Sequence, residues 1–329
     1  MNDSNLMLPA YPSMEEYENL KKRPDILEKA AREIIARHAL SDEMLSLFDG
    51  TNIVFSHGSH RVIKIFPPFH QDQFVSDWMV MDHLQGKLSV ATPVVEYRGE
   101  MNGWPYIIMS RLDGTPLEGL WENLEHDNKK VIMRELGQLI REVHSLSTDG
   151  LEAIDSHWEQ FIETQIKQCV LQHKKTKLSD ILLQQIPEYM KSAKETLPKI
   201  KNPVLLTGEY TPMNFLVKQV SGVWHIAGLI DFGDSMLGLP EYDLLGPGAF
   251  LIQGDKILLR EFLIAYGYAS EELTEILSKQ LAMLMLLHRY SNLKIQVRID
   301  NWINTVTSLK ELENLVWGFT TSPDAGEII

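Results

Sequence analysis

The spacing of apolar residues changes near residue 114, and this change strongly constrains how the chain folds. Before it, runs rich in β-branched and aromatic residues predict strands at 61–66, 92–97 and 104–110, with helical spacing at 72–85. After Gly114, apolar residues recur mostly three and four positions apart, as in amphipathic helices. We therefore expect a strand-rich first third followed by a largely helical remainder.

Further elements complete this outline. Residues 13–40 predict one amphipathic helix that Ser13 caps. Prolines and small polar residues mark the turns and helix ends elsewhere. The other predictions, in chain order, are a strand near 47–56, a turn at 98–103, a helix through Ile132–Leu146, two or three helices in 156–198 broken near Pro187 and Pro198, a strand-rich island at 204–232, helices from 255 to 317 and a frayed tail from 320.

Composition narrows the class of protein. At 329 residues, 44% of them hydrophobic and 23% charged, the chain is a globular protein long enough for two domains or lobes. Its 31 basic against 45 acidic side chains give a formal charge of −14. Non-specific nucleic-acid binding requires a basic surface, so this class is disfavoured. The acidity is equally compatible with a cationic ligand and with a well-solvated surface.

The single cysteine, Cys169, excludes an internal disulfide and a four-cysteine zinc site, and we expect it to pack within a helix. The first ten residues show no secretory pattern, and the longest apolar run, Leu281–Leu287, is too short to span a bilayer. These features predict a cytoplasmic protein with no membrane partner. The sequence also lacks the phosphate-binding P-loop, dinucleotide and zinc-protease motifs.

Two short apolar runs are each followed by side chains suited to phosphoryl transfer. Glu209 and Asn214 follow Leu205–Leu206, and Asp231 follows Leu229–Ile230. One carboxylate can orient a hydroxyl group and accept its proton, while a carboxamide and a second carboxylate can hold Mg²⁺ on nucleotide phosphates. Glu209 alone could be an ordinary turn residue, but its spacing to Asn214 and Asp231 favours the catalytic interpretation.

These segments resemble the aminoglycoside phosphotransferase family, whose members share the protein-kinase-like fold. The family pattern His-Gly-Asp-x-x-x-x-Asn corresponds here to Thr207-Gly-Glu-Tyr-Thr-Pro-Met-Asn214, and the Ile-Asp-Phe/Trp and Gly-x-Pro-x-x-Asp-Leu segments correspond to 230–232 and 238–244. The resemblance implies an α+β protein with two lobes. Residues 1–112 would form a nucleotide-covering sheet with a leading helix, and 113–329 a lobe with the catalytic loop and a helical substrate-binding region.

The resemblance also implies where ATP binds. Lys64 takes the position of the phosphate-gripping lysine, and Asp77 that of its carboxylate partner. The adenine would lie against the backbone of Ser110 to Leu112, and Gly50 would belong to the hairpin that covers the phosphates. Gly50 is a weak signal, because a single glycine here is equally typical of an ordinary turn.

In the same comparison Asn214 and Asp231 hold Mg²⁺, and Glu209 orients the acceptor hydroxyl. Asp243 would have a structural role, bonding to backbone groups. Two replacements in the catalytic loop bear on turnover more than on fold: Glu209 stands where the family has Asp, and Thr207 where it has His. An error in position of about an ångström can lower a rate about a hundredfold.

The function implied is ATP-dependent phosphorylation of an aminoglycoside such as hygromycin B, which would confer antibiotic resistance. A cationic substrate of this kind would also account for the acidic composition, because acidic residues of the inserted and C-terminal helices bind the substrate's ammonium groups in the family. Glu159, Glu163, Glu271 and Glu272 have the pattern of solvated helix faces. Two alternatives stay open. The acceptor could be a sugar, an amino alcohol or choline, or the protein could be a catalytically weak nucleotide-binding regulator.

Overall fold

The computed structural model describes residues 8–319, so the tail from 320 lies outside the described residues. The chain divides into two compact units. The first comprises residues up to Gly114 together with Gly228–Ser235, and the second comprises Thr115–Ala227 and the chain from Met236 onward. The roles predicted for residues 1–112, nucleotide covering, and for 113–329, catalysis and substrate binding, stay predictions.

An antiparallel five-stranded sheet forms the centre of the first unit, with strand order β1-β2-β3-β5-β4. Lys64 lies on a central strand, opposite Val54 on one side and Ile107 on the other. Three helices accompany the sheet. The elements are β1 (Leu45–Phe48), β2 (Ile53–His57), β3 (Arg61–Ile65), β4 (Val95–Met101) and β5 (Trp104–Ser110), with α1 (Met14–Leu20), α2 (Pro24–Arg37) and α3 (Gln71–Leu84).

The prediction of a single helix over 13–40 is wrong, since α1 ends at Leu20 and α2 starts at Pro24. Pro24 has no amide hydrogen and disfavours helical geometry in the residue before it, so Arg23 leaves the helical region and a new helix begins. The predicted cap is confirmed: Ser13 and Glu16 form a capping box. The buried faces of both helices join the core over the sheet.

The predicted turn at 98–103 is also too long. Strand β4 continues to Met101, and the reversal takes only Asn102 and Gly103, both with positive φ. An Asn-Gly pair favours this tight hairpin because both residues tolerate left-handed backbone geometry, so the ladder extends up to the turn.

The second unit is mainly helical. It also has a two-stranded pairing of β7 with β10 and a three-stranded sheet ordered β6-β8-β9. Its strands are β6 (Thr115–Pro116), β7 (Val204–Leu206), β8 (Phe215–Val220), β9 (Val223–Leu229) and β10 (Met236–Gly238). Its helices are α4 (Glu118–Trp121), α5 (His126–Ser145), α6 (Trp158–Lys175), α7 (Asp180–Lys194), α8 (Leu245–Pro247), α9 (Lys256–Tyr266), α10 (Glu275–Leu287), α11 (Leu293–Gln296), α12 (Trp302–Thr305) and α13 (Leu309–Trp317).

The predicted break at Pro187 is wrong, because α7 runs through it. A proline inside a helix removes one backbone hydrogen bond and costs about 3 kcal/mol. This helix buries a stripe of apolar side chains that includes Leu182, Ile186 and Met190, and burial of such side chains stabilises by about 1.5–3 kcal/mol each. Packing therefore outweighs the local preference to end the helix.

Two smaller expectations concern packing and membranes. Cys169 is buried on α6, as predicted, and burial raises the pKa of its thiol to about 12. Among residues 8–319, no helix has the length and apolar character needed to cross a bilayer. The mixed α+β class, with an antiparallel sheet followed by a helical region, is confirmed.

Candidate active site

Lys64 is the centre of a buried ion-pair cluster in the first unit. Its Nζ lies 2.7 Å from Oδ2 of Asp77 on α3 and 2.7 Å from Oδ1 of Asp231, just after β9. Lys64 and Asp77 are almost fully buried, whereas 39% of the Asp231 side chain is exposed. The structure therefore brings together three of the predicted site residues, and Asp231 is the one that solvent reaches.

The pKa values of this cluster follow from burial and mutual attraction. Burial opposes the charge on Lys64, but the two carboxylates outweigh it and raise the pKa of the ammonium group. Burial raises the pKa of Asp77 by more than Lys64 lowers it. For Asp231 burial also favours the neutral form, yet Lys64 dominates and the pKa lies below its ordinary value. Asp231 thus stays ionised at neutral pH.

The backbone around Asp231 is held in an unusual conformation. Asp231 has φ of +68°, in the left-handed region that a side chain seldom adopts. The amide of the next residue, Phe232, donates to Asp77 Oδ1 at 3.1 Å, and the Phe232 ring is fully buried. These contacts offset the local strain and fix the carboxylate of Asp231 beside Lys64.

The loop between β1 and β2 contains Gly50. An added Cβ there would meet only the carbonyl oxygen of Asn52, at 3.5 Å, so the structure does not require glycine at this position. Hydrogen bonds to neighbouring helices hold the next two residues, Thr51 and Asn52. The Thr51 carbonyl accepts a hydrogen bond of 2.7 Å from the Tyr17 hydroxyl of α1, and the buried Asn52 side chain donates to Gln73 of α3 at 3.0 Å.

This anchoring extends to the segment that carries Asp231. Gln73 donates in turn to Asp234 at 3.3 Å, and the ring of His70 hydrogen-bonds the side chain of Asn52 at 3.0 Å. Side chains of α3 therefore connect the β1–β2 loop with the Asp231 segment. Sequence reasoning missed Tyr17, Asn52 and Gln73, since none of them belongs to a recognisable motif.

The segment from Ser110 to Leu112 follows β5. The Ser110 amide donates to the Val94 carbonyl at 2.9 Å, and the Arg111 amide to the His60 carbonyl at 2.7 Å. Within the described residues, the amide of Leu112 makes no such backbone hydrogen bond. No hydrogen bond or ion pair joins this segment or Gly50 to Lys64 in the described part of the chain.

Glu209 and Asn214 lie together in the second unit, in the loop between β7 and β8. The carboxamide nitrogen of Asn214 donates to the backbone carbonyl of Glu209 at 3.0 Å and to its carboxylate at 3.3 Å. Because the nitrogen is used in this way, the carboxamide oxygen is the atom that remains for a metal ion.

The carboxylate of Asp243 holds the backbone of this loop in place. Its two oxygens accept hydrogen bonds from the amides of Thr207 at 2.9 Å and Gly208 at 3.0 Å, and His144 of α5 lies 3.2 Å away. The prediction that Asp243 has a structural role is thereby confirmed. Thr207, which stands where the family has His, is almost fully buried in this loop.

A cavity of about 330 Å³ lies beside Glu209, within the second unit. Aromatic and aliphatic side chains form much of its wall, among them Tyr242, Phe250 and His288. Sequence reasoning missed this wall, because its residues come from separate segments without a common spacing. Glu159, Glu163, Glu271 and Glu272, which the sequence pattern assigns to solvated helix faces, are not among the residues that line it.

The fold and these residues fit an enzyme that transfers phosphoryl groups. The chain belongs to the phosphotransferase enzyme family, whose model matches residues 48–276. The match covers strands β2 to β5 of the sheet, the Lys64 cluster and the loop with Glu209 and Asn214. It leaves α1 and α2 outside.

Solved structures show the same fold at low sequence identity. The GDP complex of wild-type aminoglycoside 2'-phosphotransferase-IIIa is 18% identical over 85% of this chain and 95% of its own, with a TM-score of 0.65. The streptomycin–ATP complex of APH(2")-IIa is 18% identical over 83% and 90%, with a TM-score of 0.51. Macrolide 2'-phosphotransferase MphH from Brachybacterium faecium is 18% identical over 77% and 88%, with a TM-score of 0.56. The predicted kinase-like fold is confirmed.

Proposed function

We propose that this protein transfers the γ-phosphoryl group of ATP to a hydroxyl group of a small-molecule antibiotic. The observation that carries the proposal is the position of Lys64, buried and 2.7 Å from both Asp77 and Asp231. A buried ammonium held by two carboxylates has a fixed place and a permanent charge, as needed to bind nucleotide phosphates. A purely structural ion pair would not require a second, partly exposed carboxylate.

The nucleotide base would bind at the segment that follows β5. The amides of Ser110 and Arg111 already donate to Val94 and His60, so the Leu112 amide is the donor that we assign to the base. The β1–β2 loop with Gly50 would lie over the phosphates, in the conformation that Tyr17 and Asn52 hold.

The donor set suits Mg²⁺. We assign the exposed carboxylate of Asp231 and the carboxamide oxygen of Asn214 as its protein ligands. Residues 8–319 hold no cluster of three or more His, Cys, Asp or Glu that could bind a metal by themselves, which fits an ion that takes its other ligands from phosphates and water. When bound, Mg²⁺ would neutralise charge on the phosphate oxygens.

Glu209 would orient the acceptor hydroxyl and accept its proton as the oxygen attacks the γ-phosphorus. Asn214 fixes the carboxylate, and Asp243 fixes the loop that carries it. Glu209 is among the residues that line the cavity, so the longer side chain of Glu, compared with the family's Asp, lies where we assign the acceptor.

Two acceptor classes follow from the resemblance and the relatives. The sequence pattern favours an aminoglycoside such as hygromycin B, and one solved relative binds streptomycin. Another relative is a macrolide phosphotransferase. The largely apolar wall of the cavity favours this second class.

The test is an ADP-release assay with Mg-ATP and a panel of hygromycin B, streptomycin, erythromycin, choline and a sugar. We expect turnover of at least one antibiotic, and a decrease in kcat of about a hundredfold or more in Glu209→Gln, which keeps the shape but not the base. Glu163→Gln, an exposed substitution on α6, is the matched control and should leave kcat unchanged.

Undiminished turnover in Glu209→Gln would contradict the role of Glu209. If no acceptor is phosphorylated although Mg-ATP raises the melting temperature, the protein is a nucleotide-binding regulator and the enzymatic proposal fails.

A further inference from the structure

The carboxylate of Asp243 has a third donor besides the two backbone amides of the loop that carries Glu209. Nε2 of His144 lies 3.2 Å from Asp243 Oδ2, the oxygen that also accepts from the Thr207 amide. The side chain of Asp243 is fully buried, and only 5% of the His144 side chain is exposed. A carboxylate removed from water in this way needs several donors, so His144 contributes to its position.

The other ring nitrogen of His144 faces a tyrosine on α9. Nδ1 lies 2.9 Å from the Tyr266 hydroxyl, and the two rings meet edge to face with centroids 5.7 Å apart. Burial, together with the charges of Glu241 and Asp243, raises the pKa of this hydroxyl, so it keeps its hydrogen at neutral pH. A hydroxyl that donates to Nδ1 leaves the ring hydrogen on Nε2, which faces Asp243. Tyr266 therefore sets the tautomer that donates to Asp243.

A glycine allows α5 and α9 to come close enough for this contact. Gly137 lies seven residues before His144, on the same face of α5. An added Cβ at Gly137 would lie 2.4 Å from the carbonyl oxygen of Phe262 and 2.8 Å from the amide nitrogen of Tyr266, both on α9. A larger residue would push the two helices apart at this point. The close approach thus brings Tyr266 against α5, where its side chain reaches His144.

The other end of this hydrogen-bonded chain is the backbone that carries Glu209. Asp243 accepts from the amides of Thr207 and Gly208, the two residues directly before Glu209. Gly208 has φ of +75°, in the left-handed region that favours glycine. A displacement of the Asp243 carboxylate would therefore move the backbone immediately before Glu209.

We infer that His144 and Tyr266 are positioning residues, which hold Glu209 in place through Asp243. This inference rests on the proposed phosphoryl transfer. Neither residue is among those that line the cavity in the described part of the chain, so neither is placed to touch the acceptor. Their loss should lower kcat and leave both KM values nearly unchanged, because a small error in the position of a catalytic group slows the reaction strongly.

The test measures kcat and KM of the full chain with Mg-ATP and an antibiotic that the ADP-release panel identifies as an acceptor. His144→Phe keeps a ring without its nitrogens, whereas His144→Gln restores an N–H donor near the position of Nε2. We expect kcat to fall about tenfold or more in His144→Phe and to stay within about threefold of the wild type in His144→Gln. An unchanged kcat in His144→Phe, or equal losses in the two variants, would overturn the inference.

Tyr266→Phe is a milder change, because it removes one hydroxyl and keeps the ring. Its matched control is Tyr189→Phe on α7, where the hydroxyl donates to the carboxylate of Glu313 at 2.8 Å. Both tyrosines are half-buried, so each variant loses one hydrogen bond of similar strength. We expect kcat to fall severalfold in Tyr266→Phe and not in Tyr189→Phe. Equal effects would reflect general stability and would overturn the inference.

Hydrogen exchange separates failure of the inference from failure of the proposed function. The amides of Thr207 and Gly208 should exchange about tenfold faster in His144→Phe and Tyr266→Phe than in the wild type, and at the wild-type rate in Tyr189→Phe. If no acceptor is phosphorylated, the proposed function fails and this measurement alone decides whether His144 and Tyr266 hold the loop. Unchanged exchange of the two amides would overturn the inference.

Discussion

At the scale of single residues, the surroundings of Lys64 account for both stability and the proposed nucleotide binding. Asp77 is too buried to act as anything but a partner for Lys64 and for the Phe232 amide, while Asp231 shares Lys64 and also reaches solvent. Asp77 therefore positions the lysine, and Asp231 is left accessible. Removing the lysine should leave Asp77 as a buried charge, whereas Asp231 can still be hydrated.

We predict that Lys64→Met destabilises the protein by about 3 kcal/mol, because Asp77 becomes a buried charge without a partner. The double variant Lys64→Met/Asp77→Asn should recover a large part of this loss, since the carboxamide oxygen can still accept from Phe232. Neither variant should show the increase in melting temperature that Mg-ATP causes in the wild type. Urea denaturation and thermal shift measure the two effects. A wild-type response to Mg-ATP in the double variant would remove Lys64 from the nucleotide site.

At the scale of elements, α1 positions the β1–β2 loop although it lies outside the matched family region. The link is one hydrogen bond from the buried Tyr17 hydroxyl to the Thr51 carbonyl. Helix α3 adds a second link through Gln73 and Asn52. The loop thus depends on two helices rather than on a glycine-rich sequence.

We predict that Tyr17→Phe lowers the free energy of unfolding by about 1 kcal/mol, the ordinary contribution of one hydrogen bond. It should also raise KM for ATP severalfold while kcat changes little. The reason is that the β1–β2 loop loses an anchor, whereas the catalytic groups keep all of their contacts. Tyr11→Phe, at a tyrosine that is 90% exposed, is the control. Steady-state kinetics with varied ATP, together with urea denaturation, would detect both changes, and an unaltered KM would show that the anchor has no part in nucleotide binding.

The N-terminus of α9 gives a pH-dependent prediction. Asp255 caps this helix by accepting from the amides of Ile257 and Leu258 and also contacts His126. Burial raises the pKa of Asp255, but these hydrogen bonds outweigh it and the pKa lies below the ordinary 3.8. The folded state therefore favours the ionised form, so the contribution of this cap is present above pH about 4 and is lost as the pH falls through the lowered pKa.

Accordingly, Asp255→Ala should destabilise the protein by about 1 kcal/mol at pH 7. The difference from the wild type should shrink in acid, below pH about 4. Chemical denaturation across this range provides the measurement, and a difference that grows on acidification would contradict the assignment.

At the scale of the whole molecule, the net charge of −14 and the largely apolar wall of the cavity have separate consequences. The excess of acidic residues attracts any cation over long distances, whereas the cavity selects by apolar contact. For an acceptor with one amine, we predict that kcat/KM decreases less than about twofold between about 50 and 300 mM salt, since a single charge gains little from this attraction and apolar contacts are not screened. A decrease of about tenfold or more in the erythromycin reaction would indicate that surface charge controls binding.

Much of the fold could be predicted from the sequence, because the elements depend on local patterns. The helical stripe through Ile132–Leu146, the cap at Ser13 and the strands around Lys64 are encoded by neighbouring residues. Errors arose where local preference and packing differ. Pro24 ended a helix that the apolar spacing continues, and Pro187 failed to end one because its helix is buried on one face.

The sequence by itself determined the candidate chemistry: Glu209, Asn214 and Asp231 can be identified from their spacing, and Lys64 from its resemblance to the family's phosphate-binding lysine. Only the tertiary structure decided which carboxylate is buried, how Tyr17 and Gln73 hold the loop, and how few charges line the cavity beside Glu209. These properties depend on residues that are distant in sequence and become neighbours through folding. Composition records all 45 acidic side chains, but folding leaves only two of them in the cavity lining within the described residues.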